Sequence, residues 1–184
     1  MQKFLDWLER VLTPLAKVIG ENKYLVAIRD GFLLSTPLLI VGSVFLLIAN
    51  FPLPQWDTWM SHLLGKDWAT MMSVPASASF DVMTILAVVG IAYSLGKQFN
   101  VDAMQAGIIA LVSFFIVTPY QTLFTPENSS KVYEVTSLPL KWMGSSGLFF
   151  GMIVALIATR LFVAIVRKGW TIKMPEGVPP TVVK

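Results

Sequence analysis

Long apolar blocks without charged residues restrict the fold of this chain more than any other feature of its sequence. Residues 31–51 contain no Asp, Glu, Lys or Arg. A helix of that length, rising 1.5 Å per residue, spans about 30 Å, the thickness of the hydrocarbon core of a bilayer. The composition agrees, since 55% of the residues are hydrophobic and 14% are charged, whereas a soluble domain has about 25% charged residues. The sequence therefore predicts an all-α integral membrane protein.

Four blocks of this kind lie between residues 31 and 168. They place the expected spans at about residues 31–51, 74–96, 103–124 and 142–166. The second span must begin before Asp81, because the uncharged stretch between Asp81 and Lys97 is too short to cross a bilayer. Pro119 lies near the end of the third block, and membrane helices can accept such a residue. We therefore expect a membrane domain of about four transmembrane helices at residues 31–168.

Residues 1–30 predict an amphipathic helix on the cytoplasmic surface, followed by a lead-in to the first span. Apolar side chains recur there at helical spacing, at Phe4, Leu5, Leu8, Val11, Leu12, Leu15, Val18 and Ile19. Charged side chains take the opposite face, as in helices that lie along a membrane–water interface. At the other end of the chain, residues 169–184 are expected to form a cytoplasmic segment.

The basic residues between the blocks predict the orientation of the spans. One side of the expected topology carries eleven of them: Lys3, Arg10, Lys17, Lys23, Arg29, Lys97, Arg160, Arg167, Lys168, Lys173 and Lys184. The other side carries Lys66, Lys131 and Lys141. Because basic segments stay in the cytoplasm, both termini are expected there, with residues 52–73 and 125–141 outside. Whether residues 52–73 lie on the surface or dip into the bilayer stays open.

Residues that build catalytic and metal sites are scarce. The chain has no cysteine and one histidine, His62, which excludes disulfides, thiolate nucleophiles, zinc fingers and paired-histidine metal sites. Its net charge is +3, but the basic residues flank apolar blocks and do not cluster on a soluble face, so no nucleic acid partner is expected. We expect no catalytic residue, metal or cofactor in this chain, and whether it acts within an enzyme complex stays open.

Small residues recur four apart in two of the expected spans. Gly90 and Ser94 form one such stripe, and Gly147, Gly151 and Ala155 form the other. Small residues at this spacing allow two helix backbones to approach closely. The five residues are therefore candidates either for contacts with a second subunit or for ordinary packing within the chain, and the second reading is the more common one.

Asp81 is the one acidic residue within the expected spans. A carboxylate inside a membrane is costly and usually has a function, so Asp81 is a candidate for a polar or substrate-binding pathway. The alternative is that Asp81 lies at the depth of the membrane interface, near the start of its helix, where the helix dipole favours a negative charge. The position in the first turns of the second span favours this alternative.

Several segments, taken in order, resemble one family. They are AIRDGF at residues 27–32, PLLIVGS at 37–43, GIAYSL at 90–95, VDA at 101–103, GLF at 147–149 and MPEGVPP at 174–180. Together they are similar to enzyme IIC, the membrane subunit of the lactose, cellobiose and diacetylchitobiose permeases of the phosphotransferase system. The chain is identified as the amino-terminal part of such a protein, and MPEGVPP is the most specific segment.

The resemblance implies uptake of a disaccharide such as cellobiose, chitobiose or lactose across a bacterial cell membrane. Phosphorylation by a cytoplasmic IIB subunit, itself supplied through IIA, would accompany the uptake, and the permease would be a homodimer. Full-length members continue through further membrane helices that carry the sugar pocket. We therefore expect this chain to be a fragment that supplies scaffold and dimer contacts, with the sugar-binding residues in the part that follows.

Two alternatives from another class stay open at this point. One is a truncated membrane interaction module that does not transport, and the other is a small oligomeric four-span transporter. The spans lack a central Glu, Lys or His, which argues against a proton-coupled transporter.

Overall fold

Eight α-helices account for most of the chain in the parts that the computed structural model describes, residues 2–126 and 131–170. They are α1 Gln2–Glu21, α2 Lys23–Ala49, α3 Trp56–Leu64, α4 Trp68–Phe80, α5 Met83–Gln98, α6 Ala103–Val117, α7 Leu140–Met143 and α8 Leu148–Arg167. A 3₁₀ turn at Ser145–Gly147 precedes α8, and two short strands, β1 Gln121–Phe124 and β2 Tyr133–Thr136, follow α6. The MPEGVPP segment and most of the expected tail at 169–184 lie outside the described residues.

The amino-terminal helix α1 covers the segment that the apolar periodicity predicted as helical. It ends at Glu21 because Asn22 caps the next helix: the Asn22 side chain accepts hydrogen bonds from the backbone N–H groups of Tyr24 and Leu25 at 2.9 and 3.4 Å. Leu12, Val18 and Ile19 are exposed on α1. Exposed apolar residues on a helix beside a bundle are typical of a helix that lies against a membrane surface.

Three helical segments are long and apolar enough to cross a membrane among the described residues. They are Lys23–Ala49, Trp68–Gln98 and Ser145–Arg167. The second of these joins α4 and α5 through a break at Asp81 and Val82, and it begins six residues before the expected start at 74. The apolar helix α6, with 15 residues, is shorter than these three. These spans confirm the predicted class of helical membrane protein.

The helix formed by the third apolar block ends earlier than the hydropathy of that block predicts. Helix α6 stops at Val117, and Thr118 adopts an extended conformation. Pro119 explains this end, because proline lacks a backbone N–H and disfavours helical geometry in the residue before it. Residues 121–124, expected within the span, instead pair antiparallel with β2, with Gln121 opposite Thr136 and Phe124 opposite Tyr133.

Helix α5 forms the centre of the bundle. Helices α2, α6 and α8 all pack against it, while α2 also packs along α4. Val88 and Ile91 of α5 and Phe114 of α6 are completely buried. The outward faces of the bundle are apolar and exposed, as expected for helices whose outer solvent is lipid.

The segment after α2 forms the short helix α3, which is tied back to the bundle. The indole N–H of Trp56 donates to the backbone oxygen of Ile48 at 2.8 Å, and that of Trp68 donates to the Asp57 carboxylate at 2.9 Å. His62 is exposed on α3. These two hydrogen bonds hold residues 52–67 against the ends of α2 and α4.

Candidate functional site

The antiparallel register of α2 against α4 and α5 sets the position of Asp81 along the bundle. Lys23 contacts the end of α5 at Gln98, Gly31 contacts Ile91, and Gly42 contacts Ser79. The α4–α5 segment therefore runs antiparallel to α2, residue for residue. In this register Asp81 lies opposite residue 40.

Residue 40 is next to the centre of the uncharged block at residues 31–51. At 1.5 Å per residue, Asp81 lies about 25 Å along the bundle from the end of α5. The position of Asp81 near the membrane interface stays a prediction from the sequence. The helical segment begins at Trp68, so α4 precedes Asp81.

A polar turn packs against the break between α4 and α5. Asp81 ends α4 as its C-cap residue, and the backbone of Gly144 lies so close that a Cβ there would stand 3.5 Å from the Asp81 Cα. The buried hydroxyl of Thr84 donates to the Gly144 oxygen at 2.6 Å. This hydrogen bond fixes the turn between α7 and α8 beside Asp81.

Asp81 faces a shallow cavity of about 300 Å³ with several polar side chains in its wall. Lys141, Ser145 and Ser146 line the cavity with Asp81, and the apolar part of the wall includes Phe80. Asp81 is half-buried. The Asp81 carboxylate has no hydrogen bond or ion pair among the described residues. A carboxylate, two hydroxyls and an ammonium group in the wall of one cavity can bind a hydroxyl-rich ligand, since they supply both donors and acceptors.

The chemistry of this cavity could be found from the sequence only in part. Asp81 stood out as a charge in an apolar block, but Lys141, Ser145 and Ser146 lie some 60 residues further along in an ordinary loop composition. Their proximity to Asp81 depends on how α8 packs on α5. The available signal was the run GSSG at residues 144–147, near the start of the fourth apolar block.

The five small residues proposed for helix packing are all buried within the chain. A Cβ on Gly90 would stand 2.5 Å from the Gly31 oxygen, and one on Gly151 would stand 2.6 Å from the Thr84 methyl group. Gly147 lies against the Trp142 oxygen, while Ser94 and Ala155 are 7% and 0% exposed. All five residues are thus buried within one chain, and their part in contacts with a second subunit stays a prediction.

No group of three or more His, Cys, Asp or Glu side chains comes together in the described ranges. Asp81 is accompanied by Lys141 and by two serines in its cavity, and no second carboxylate lines that cavity. The arrangement suits hydrogen bonding to a ligand.

Comparison with known proteins identifies the family. The sequence model of the family described as "Phosphotransferase system, EIIC" matches residues 29–184. The chain belongs to the phosphotransferase EIIC family. This confirms the resemblance that the ordered segments suggested.

Several relatives resemble this EIIC chain over its whole length. It is 42% identical to the cellobiose-specific EIIC component of Geobacillus stearothermophilus, with 100% of this chain and 41% of the relative aligned. It is 40% identical to the lichenan permease IIC component of Bacillus subtilis (strain 168), again over 100% of this chain and 41% of the relative.

A solved structure confirms the fold. The crystal structure of ChbC, the IIC component of an N,N'-diacetylchitobiose-specific phosphotransferase system, matches with a TM-score of 0.87 and 42% identity. The match covers 96% of this chain and 41% of the ChbC chain. The chain thus spans about two-fifths of the length of the relatives it matches.

Proposed function

We propose that the chain is the amino-terminal scaffold of a permease that takes up a disaccharide and releases it phosphorylated. The similarity to ChbC, with a TM-score of 0.87 at 42% identity, carries this proposal. The substrate class is a disaccharide such as cellobiose, chitobiose or lactose, in line with the names of the cellobiose, chitobiose and lactose relatives. The phosphoryl group comes from a IIB subunit that IIA supplies.

The proposed permease lies in a bacterial cell membrane as a homodimer with both termini in the cytoplasm. The excess of basic residues on one side of the spans supports this orientation. The exposed apolar faces of α1 and α2 are proposed for the contact with a second copy. A dimer of this chain in detergent would have twice the monomer mass of 20.4 kDa.

Asp81 is proposed to contact the sugar or its path through the membrane. Asp81 is half-buried and lines one cavity together with Ser145, Ser146 and Lys141. Sugar hydroxyls donate well to a carboxylate, and hydrogen bonds to charged groups contribute about 1.5–3 kcal/mol. The larger part of the sugar pocket is proposed to come from the remaining three-fifths of a full-length permease.

A chimaeric permease tests the function. Residues 1–184 replace the aligned part of the cellobiose-specific EIIC of Geobacillus stearothermophilus in cells that lack a cellobiose permease. We expect uptake of labelled cellobiose that requires phosphoenolpyruvate and IIB and that yields cellobiose phosphate. A chimaera that reaches the membrane but gives neither uptake nor phosphorylation would favour the non-transporting interaction module.

The same chimaera tests Asp81. Asp81→Asn should raise the half-saturating cellobiose concentration by about 10- to 100-fold, because it replaces a charged acceptor by a neutral amide. The matched control is Lys66→Gln, which changes an exposed residue just before α4, at the opposite end of that helix from Asp81. It should leave uptake unchanged. An Asp81→Asn chimaera with normal uptake would remove Asp81 from the sugar path while leaving the permease assignment intact.

A further inference from the structure

Three basic side chains from two helices surround one phenylalanine at the end of the bundle where α2 begins and α5 and α8 end. Lys23 Nζ lies 5.2 Å from the centre of the Phe99 ring. The guanidinium carbons of Arg160 and Arg167 lie 5.1 and 5.4 Å from the same centre. A cation over an aromatic face is attracted to it, so Phe99 gathers three positive charges that would otherwise repel one another. These three cations and Phe99 form the basic cluster.

A helix end offsets part of the charge of the basic cluster. Lys23 Nζ donates to the Gln98 oxygen at 3.2 Å, and Arg167 donates to the Phe99 oxygen at 3.4 Å. A helix C-terminus carries about half a negative charge. Both acceptors lie at the end of α5, which therefore offsets about half of one positive charge, and most of the positive charge remains.

The nearby carboxylates are engaged elsewhere. Glu21 lies 4.0 Å from Lys17, and the Asp102 carboxylate accepts from the backbone N–H groups of Met104 and Gln105 at 3.0 and 3.1 Å, which caps α6. Within residues 2–126 and 131–170, no carboxylate forms an ion pair with the cations of the basic cluster. The cluster can therefore accept an anion.

An apolar groove leads away from the basic cluster along the outside of the bundle. It has a volume of about 300 Å³ and is lined by Tyr24 of α2 and by Leu156, Ile157, Arg160 and Leu161 of α8. Helices α2 and α8 both pack on α5, and the groove runs between them. Ile157 and Leu161 are 56% and 60% exposed, so lipid can reach the groove directly.

We propose that the basic cluster and the groove together bind one anionic phospholipid. The phosphate lies against Arg160, Lys23 and Arg167, and an acyl chain lies along Ile157 and Leu161. Basic pockets between membrane helices recognise anionic headgroups, and guanidinium groups match phosphate oxygens in pairs. A lipid suits this site better than a water-soluble anion, because one continuous surface presents positive charge and then an apolar groove. The bound lipid fills the space between α2 and α8.

Native mass spectrometry of the full 184-residue chain tests the proposal. Dioleoyl phosphatidylglycerol and dioleoyl phosphatidylcholine are titrated separately, and dihexanoyl phosphatidylglycerol and inorganic phosphate test the headgroup without long chains. We expect retention of the anionic long-chain lipid over the zwitterionic one. Each of Lys23→Gln, Arg160→Gln and Arg167→Gln should weaken this retention about fivefold. Arg160→Lys should retain most of it, and Lys66→Gln and Lys141→Gln, at the other end of the bundle, serve as controls.

Each other outcome overturns the proposal in a different way. Equal affinity for the two dioleoyl lipids, or equal losses in the control variants, would mean that no specific headgroup site exists. Binding of inorganic phosphate as tightly as the long-chain lipid would assign the cluster to a free anion. If the three variants bound lipid normally but lost binding to a purified IIB protein, the cluster would be a docking site for that protein. Circular dichroism of each variant separates loss of lipid from loss of fold.

Discussion

Two buried threonines show how the surroundings of a residue decide its contribution to stability. Thr84 and Thr159 are both 0% exposed. The Thr84 hydroxyl donates to the Gly144 oxygen at 2.6 Å, whereas the Thr159 hydroxyl has no hydrogen-bond partner among the described residues. A hydroxyl in apolar surroundings contributes stability only when it is hydrogen-bonded.

Valine at each position keeps the side-chain shape and removes the hydroxyl. Thr84→Val should lower the free energy of unfolding by about 1–3 kcal/mol, because the Gly144 oxygen loses its donor. Thr159→Val should leave it unchanged or raise it slightly, since it removes an unsatisfied buried group. Unfolding in mixed micelles with increasing denaturing detergent measures both values. Equal losses in the two variants would show that the hydrogen bond to Gly144 contributes nothing.

At the scale of the helices, contact between glycine backbones holds α2 against α5. Gly31 and Gly90 face each other so closely that a Cβ on Gly90 would stand 2.5 Å from the Gly31 oxygen. The obstacle is backbone, which cannot rotate away as a side chain can. Gly90→Ala should therefore separate the two helices and lower the free energy of unfolding by about 1–3 kcal/mol.

Gly20→Ala is the control for this helix contact, because nothing lies within 4 Å of a Cβ at Gly20. Alanine favours helix by about 1 kcal/mol over glycine, so this variant should be as stable as the parent or more stable. Thermal unfolding in detergent compares the two variants. If Gly90→Ala were as stable as Gly20→Ala, the close approach of α2 and α5 would be wrong.

At the scale of the whole molecule, α2, the α4–α5 segment, α6 and α8 would bring the chain across the bilayer four times and return its end to the side where it began. The chain has no cysteine, so single cysteines report topology without background. His62→Cys in α3 should react with a membrane-impermeant maleimide added to intact cells. Trp170→Cys, on an exposed position after α8, should react only after the membrane is opened. The reverse pattern would invert the proposed orientation.

The fold followed from the sequence where the physical constraint is local. Residues 31–51 carry no charge, and a helix of that length matches the thickness of the bilayer core. Because its apolar side chains are unfavourable in water, the stretch had to be a span. The end of α6 was harder to predict from the sequence. Apolar residues continue past Pro119 to Phe124, whereas the backbone of proline ends the helix. Hydropathy averages the character of many side chains, so it does not detect the one backbone N–H group that is missing at Pro119.

The sequence by itself determined the membrane class, the amino-terminal helix and, through its ordered segments, the EIIC family, because each depends on residues close together in the chain. The tertiary structure decided the cavity that Asp81 shares with Lys141 and the basic cluster around Phe99. These features join residues 60 or more positions apart. Their proximity depends on helix register and on close backbone contacts, which apolar periodicity does not encode because it records only which face of a helix avoids water.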